Sequence, residues 1–283
     1  MSLAIPGAVL HYEVFKNTES TNPSVLFITG APGTVEPWRP LTSFLSAHPA
    51  FKHNLICYDR RGFSRSYLSS TEPQDFTHRL DVDADDAKLL IDTISPNGKP
   101  VVVIGTSSGA IVALNLLLRY PDKVTKLICH EPPLIKLLED GKELEERQDE
   151  LYATYRDSGI PPAMMKFADL YRVGKAELMV LGSAMAAQSG PFIGGNTAFW
   201  FERELRQYTT WDIDVGGVKN CKERVPIVFV NGKETDKQAP YARANAKLAE
   251  ACEQQVEYFP GAHVGYATDT EAFAEALIEI LGD

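Results

Sequence analysis

Short apolar runs rich in Val and Ile recur along this chain, separated by longer mixed segments. The runs Ala8–Phe15, Ser24–Thr29, Asn54–Asp59, Val101–Gly105, Val124–His130, Pro226–Val230 and Val256–Phe259 read as strands. Several hold few polar positions, the pattern of strands buried on both faces of a parallel sheet. Between them, Ala84–Thr93, Ser107–Tyr120, Tyr241–Cys252 and Glu271–Leu281 carry helical patterns. Their alternation predicts an α/β architecture, a mostly parallel, doubly wound sheet. The alternation stops between about Leu134 and Cys221, where Leu137–Tyr155, Pro162–Tyr171, Ala176–Ala187 and Thr197–Tyr208 all read as helical. A helical block inserted after one strand, with strands resuming at Pro226, predicts a cap over the carboxyl end of the sheet. Ligands bind at that end in open α/β folds. Residues 1–133 and 222–283 then form the core, and residues 134–221 the inserted helical cap.

Composition narrows the function classes. The chain has 283 residues, long enough for one large α/β domain carrying such an insertion. Its hydrophobic fraction of 44% is ordinary for a globular protein. A net charge of −10 argues against nucleic acid or an anionic membrane as partner. No apolar run approaches transmembrane length, and the start Met1-Ser2-Leu3-Ala4-Ile5-Pro6 lacks the basic and apolar regions of a signal peptide. Cys57, Cys129, Cys221 and Cys252 form no Cys-x-x-Cys, and the first two fall inside apparent core strands, as buried free thiols do. Together these features predict a cytoplasmic enzyme. The oligomeric state stays open, a homodimer included.

The candidate chemistry centres on Gly105-Thr106-Ser107-Ser108-Gly109, which joins the run Val101-Val102-Val103-Ile104 to the helical pattern from Ile111. A strand that turns sharply into a helix at a serine is a nucleophile elbow. Its glycines relieve crowding, and the serine stands at a helix N-terminus that favours negative charge. A serine hydroxyl needs a base within hydrogen-bond reach. His263, in the loop Pro260-Gly261-Ala262-His263 before the last helix, is the best placed of six histidines. Two places compete for the acid that orients it: Glu131, directly after the strand Val124–His130, and Glu234 or Asp236, after the strand Pro226–Val230. Asp236 also has the plainer reading of a loop carboxylate capping the helix near Ala239-Pro240. The amides of Ser108 and of Gly30 or Ala31, in Thr29-Gly30-Ala31-Pro32-Gly33, are candidates for an oxyanion hole. The segment Tyr58–Ser66 reads as a structural loop braced by Arg–Asp pairs. Phe199, Trp200, Phe201, Tyr208 and Trp211 form an aromatic cluster that is packing in part, with Trp200, Phe199 and Trp211 the candidates for substrate binding. The histidines show no metal-binding spacing, and no cofactor or metal is expected.

Thr29–Gly33, Asp59–Ser66, Gly105–Gly109 and Pro260–His263 fall in register with the α/β-hydrolase superfamily, which this chain resembles over nearly its whole length. The resemblance implies an α/β-hydrolase fold. More narrowly, Gly105–Ala110, Tyr120-Pro121-Asp122, Cys129-His130-Glu131-Pro132 and Pro260–His263 resemble the fungal zearalenone lactone hydrolases. In that family the acid sits directly after the strand that follows the elbow. The resemblance therefore implies Glu131 as the acid and a lactone of resorcylic type as substrate. The cap resembles that family only faintly.

The leading expectation is a cofactor-free serine hydrolase that cleaves an apolar, mid-sized ester or lactone through an acyl-enzyme. Two other classes compete. One is an NAD(P)-dependent short-chain oxidoreductase, suggested by Gly105–Gly109 and by Tyr171-Arg172-Val173-Gly174-Lys175; a dinucleotide turn needs a further glycine where Ile111 stands. The other is a non-catalytic or slow-turnover receptor on the same fold.

Overall fold

The computed structural model describes residues 1–17, 20, 22–185 and 192–282. Among the described residues nine strands form one sheet: β1 (Ser2–Ile5), β2 (Ala8–Phe15), β3 (Val25–Ile28), β4 (Leu55–Tyr58), β5 (Tyr67–Leu68), β6 (Val101–Thr106), β7 (Val124–His130), β8 (Ile227–Gly232) and β9 (Val256–Phe259). Their order is β1-β2-β4-β3-β6-β7-β8-β9, with β5 on β2. From β4 to β9 all pairings are parallel, while β2 is antiparallel to β1, β4 and β5.

The Val/Ile-rich strands are central because helices cover both their faces. Every residue of β3, β4 and β6 is buried. Along β3 the side chains alternate, so Leu26 and Ile28 join one apolar core and Val25 and Phe27 the other. Helices α1 (Arg39–Ala47), α2 (Arg79–Ile94) and α3 (Ser108–Arg119) lie between the first seven strands. Between β7 and β8 come α4 (Gly141–Ser158), α5 (Ile160–Tyr171), α6 (Lys175–Met185), α7 (Ile193–Arg203), α8 (Leu205–Thr209) and α9 (Val215–Cys221), with no strand among the described residues. Helices α10 (Pro240–Ala251), α11 (Gly265–Thr268) and α12 (Thr270–Leu281) complete the chain. Leu41 and Leu45 of α1 share one core with Phe273 and Leu277 of α12. Leu90 of α2, Ile111 of α3 and Leu248 of α10 share the other with Leu151, Trp200 and Phe201 of the helical block. Sheet and helical block thus enclose continuous apolar material.

The seven expected strands are all present, displaced by a residue or two at some ends. β1, β5, α1, α9 and α11 were not expected. β1 alternates exposed and half-buried positions at the sheet edge, and β5 has two residues, so neither shows the apolar run of a central strand. The helix expected from Leu137 begins at Gly141, because Ile135–Leu137 forms a 3-10 turn first. Of the helix expected over Ala176–Ala187, residues Ala186 and Ala187 lie outside the described residues.

Candidate active site

Ser107 stands between β6 and α3 with φ 53° and ψ −129°. A positive φ on a residue with a Cβ costs about 1–3 kcal/mol unless its surroundings impose it. Here they do. The Ser107 amide donates to the His130 carbonyl at 2.9 Å, which extends the β6–β7 ladder into the turn. A Cβ on Gly30 would sit 2.7 Å from the Ser107 Cβ, and one on Gly109 would sit 2.5 Å from the Thr29 carbonyl oxygen. Glycine is required at both places by close approach. Ser108 opens α3, so its amide is among the N–H groups that lack an intrahelical acceptor. Ala31 and Ser108 line the same cavity as Ser107, and Gly30 packs beneath it.

Glu131 leaves β7 with φ 49° and is 0% exposed. Its amide donates to the Val230 carbonyl at 3.2 Å, so the end of β8 holds it. One carboxylate oxygen accepts the Gly232 amide at 2.9 Å, and the other lies 2.6 Å from His263 Nδ1. Burial would push this carboxyl up, but the His263 hydrogen bond, the charges of His130 and His263 and the Gly232 amide hold it below the usual carboxylate range. With Nδ1–H donating to Glu131, Nε2 becomes the basic ring nitrogen of His263.

The loop that carries His263 leans on the end of β8. Lys233 and Glu234 donate their amides to the Phe259 and Gly261 carbonyls at 2.8 and 3.1 Å. A Cβ on Gly232 would meet the Gly261 carbonyl oxygen at 2.6 Å. The Tyr241 ring stacks on the imidazole with centroids 3.9 Å apart. Backbone contacts therefore explain the Glu234 neighbourhood, while its carboxylate is exposed. Asp236 is exposed too, 3.3 Å from Arg172 Nη1, and accepts the Gln238 amide at 2.8 Å. It does not cap α10, whose N-cap is Ala239. Among the described residues, Glu131 is the carboxylate bonded to His263.

Ser107 and His263 line one continuous cleft with Ala31, Phe167, Trp200 and Tyr241. Its larger lobe adds Met164, Val173, Glu177 and Tyr266; its inner lobe adds Glu204 and Tyr208. Trp200 thus lies where expected, but Phe199 and Trp211 do not line this cleft. Phe199 turns the other way on α7, edge-on to Phe63 at 5.1 Å and over the Arg79 guanidinium at 4.8 Å. Trp211 packs against the large apolar core. Tyr208, another member of the expected aromatic cluster, does line it, whereas Phe167, Tyr171 and Tyr241 carry no sequence signal for it, because helical spacing alone does not say which face of an aromatic-rich helix meets a cleft.

Under the inner lobe lies Arg60, 1% exposed at the side chain. It donates to the Thr29 carbonyl at 2.8 Å, to Asp83 at 3.0 Å and to both Glu204 oxygens at 2.7 and 3.0 Å. Burial would lower its pKa, but the charges of Glu204 and Asp83 hold it above the ordinary arginine value. Arg61 pairs with Asp86 and Arg65 with Asp59, so the loop after β4 is braced by Arg–Asp pairs as expected.

His130 is buried, and neither ring nitrogen has a hydrogen-bond partner among the described residues. Burial pushes it down to about 4, against the pull of Glu131. His130, Glu131 and His263 bring ligand-type atoms within 4.8 Å of one another, the one such group among the described residues. Both Glu131 oxygens are already engaged, so a metal ion would have to displace the Gly232 or His263 hydrogen bond. For a nicotinamide enzyme the features diverge: the glycine turn follows the sixth strand, Tyr171 ends α5 and exposed Lys175 begins α6.

A family model described as alpha/beta hydrolase fold matches residues 23–270. The uncharacterized hydrolase YraK of Bacillus subtilis (strain 168) is 30% identical over 284 residues, covering 99% of this chain and 95% of that one. Among solved structures, the enol-lactonase from Burkholderia xenovorans LB400 superposes with a TM-score of 0.73 at 17% identity, covering 100% of both chains. A thermophilic esterase from Thermogutta terrifontis superposes with a TM-score of 0.71 at 18% identity, covering 99% of this chain and 98% of that one.

Proposed function

This chain belongs to the alpha/beta hydrolase family, and from that premise we propose that it is a cofactor-free serine hydrolase acting on a small ester or lactone. The observation that carries the reading is the buried Glu131–His263 pair at 2.6 Å, on a cleft that also holds Ser107 on its strained turn. Ser107 attacks the carbonyl carbon while His263 Nε2 takes its proton, and Glu131 steadies the imidazolium that forms. The amides of Ser108 and Ala31, with Gly30 giving the chain its close approach, receive the oxyanion. His263 then protonates the leaving alkoxide and activates the water that cleaves the acyl-enzyme.

Residues 134–221 act as the cap. The reading is supported by Phe167 and Trp200, which this block contributes to the cleft. The apolar, aromatic lining suits an apolar mid-sized substrate. A resorcylic-type lactone is the substrate that the resemblance to zearalenone lactone hydrolases suggests, and Glu131 stands at the acid position that resemblance implies. Free thiols at Cys57, Cys129, Cys221 and Cys252 fit a reducing compartment, so we place the enzyme in the cytoplasm. No helix among the described residues is long and apolar enough to cross a membrane.

The test is covalent labelling by a fluorophosphonate probe, combined with turnover of a p-nitrophenyl ester. Wild type should be labelled at Ser107. Ser107→Ala should lose the label and about 10⁴–10⁶ in kcat while keeping its far-UV circular dichroism. Near-normal turnover by the variant would overturn the assignment.

A further inference from the structure

Glu177 lies in the third position of α6, on the wall of the larger lobe of the cleft. It is 5% exposed, and its neighbours on that wall include Met164, Phe167, Val173 and Val264. One carboxylate oxygen accepts the Gly174 amide at 2.8 Å, the backward bond of a capping box. A capping role needs no more than this one oxygen, and a glutamine would serve it equally. The other oxygen, Oε1, has no hydrogen-bond partner among the described residues. A buried carboxylate oxygen left unpaired among apolar side chains is strongly unfavourable unless something else satisfies it. The Tyr241 hydroxyl, on the same lobe, is likewise buried and without a partner among the described residues. Burial first, then the charges of Glu131 and Glu177, push that phenol up, so it keeps its proton and can donate.

We propose that Glu177 makes the cleft selective for esters or lactones that carry a hydrogen-bond donor, a hydroxyl or a protonated amine, on the part lying in the larger lobe. The bound donor meets Oε1, and a hydroxyl also receives the Tyr241 O–H. Glu177 is a specificity residue and takes no part in bond cleavage. The inference rests on the serine-hydrolase reading for its substrate class.

Three p-nitrophenyl esters of matched length test it: the heptanoate, the 6-hydroxyhexanoate and the 6-aminohexanoate. Wild type should favour at least one donor-bearing ester over the heptanoate by about tenfold or more in kcat/KM, since a site built to bond a polar group discriminates against an analogue lacking it. Glu177→Leu should reduce that ratio about tenfold or more. Glu177→Gln keeps the capping bond and an acceptor; it should retain a preference for the hydroxyl ester and lose one for the ammonium ester, which tells the two donors apart. A ratio unchanged in both variants, with only the melting temperature moved, overturns the inference and leaves the hydrolase reading standing. If no ester is turned over and Ser107 takes no fluorophosphonate label, the hydrolase reading fails instead. Binding of hexylammonium and of 1-hexanol, followed by tryptophan fluorescence, then decides on Glu177 alone. Weaker binding of either by Glu177→Leu supports it, and equal binding of both overturns it.

Discussion

At the scale of single residues, the sharpest question is which carboxylate orients His263. Glu131 is buried and bonded to the ring, whereas Asp236 is exposed and satisfied by Arg172 and the Gln238 amide. Glu131→Gln should therefore lower kcat by about 10²–10⁴. Asp236→Asn and Glu234→Gln should each stay within about threefold, all by steady-state ester hydrolysis; the opposite ranking returns the acid to the end of β8. The residues alone could not decide this, since both candidates follow a core strand. The answer lies in how the Pro260–His263 loop leans on the end of β8, a tertiary fact that no spacing encodes. His130 gives a second prediction. Its pKa falls from 6.5 in a free ring to about 4 in its buried site, so the unfolded chain binds a proton that the folded chain refuses. The stability this confers is present above pH 6.5 and is lost as pH falls through 4, on the order of 3 kcal/mol in all. His130→Phe should flatten the pH dependence of the melting temperature between pH 6.5 and 4.5. Equal slopes in both proteins would mean that another group sets acid lability.

At the scale of elements, the helical block meets the sheet through polar as well as apolar contacts. Arg60, after β4, holds both oxygens of Glu204, between α7 and α8. The Ser64 amide donates to the Asn196 side chain of α7 at 2.7 Å, and the Asn196 amide donates back to the Ser64 hydroxyl at 2.8 Å. Removing one member of a buried ion pair strands the other charge. Glu204→Ala should thus cost about 3–5 kcal/mol in urea unfolding. A loss under about 1 kcal/mol would mean that water or Asp83 replaces the lost partner. The helices of this block were legible as a group because no strand pattern interrupts them. Their lining faces were not: Trp200 meets the cleft and Phe199, one residue earlier, packs on Phe63. The central strands were legible from uninterrupted Val and Ile, because two covered faces demand apolar side chains at every position. β1 and β5 carry the weaker signal of edges.

At the scale of the whole molecule, one apolar core contains Leu26, Ile28 and Val103 of the sheet together with Leu151, Trp200 and Phe201 of the helical block. Trp38 lies in the core on the opposite face. Such continuity predicts a single cooperative unfolding transition. Urea curves followed by tryptophan fluorescence and by far-UV circular dichroism should superimpose; two separated midpoints would show that the helical block unfolds on its own. Arg60 adds a consequence for how this architecture can change over evolutionary or laboratory time. Its guanidinium is fixed by the core through Thr29 and Asp83, and it waits for a charge from outside the core. A foreign helical block grafted in place of the native one could reshape the wall that Phe167 and Trp200 form. It would still have to bring a carboxylate to the spot where Glu204 lies, or leave buried Arg60 with Asp83 as its remaining carboxylate partner. Exchange of this block is held at Glu204, while the lining that Phe167 and Trp200 supply is freer to drift.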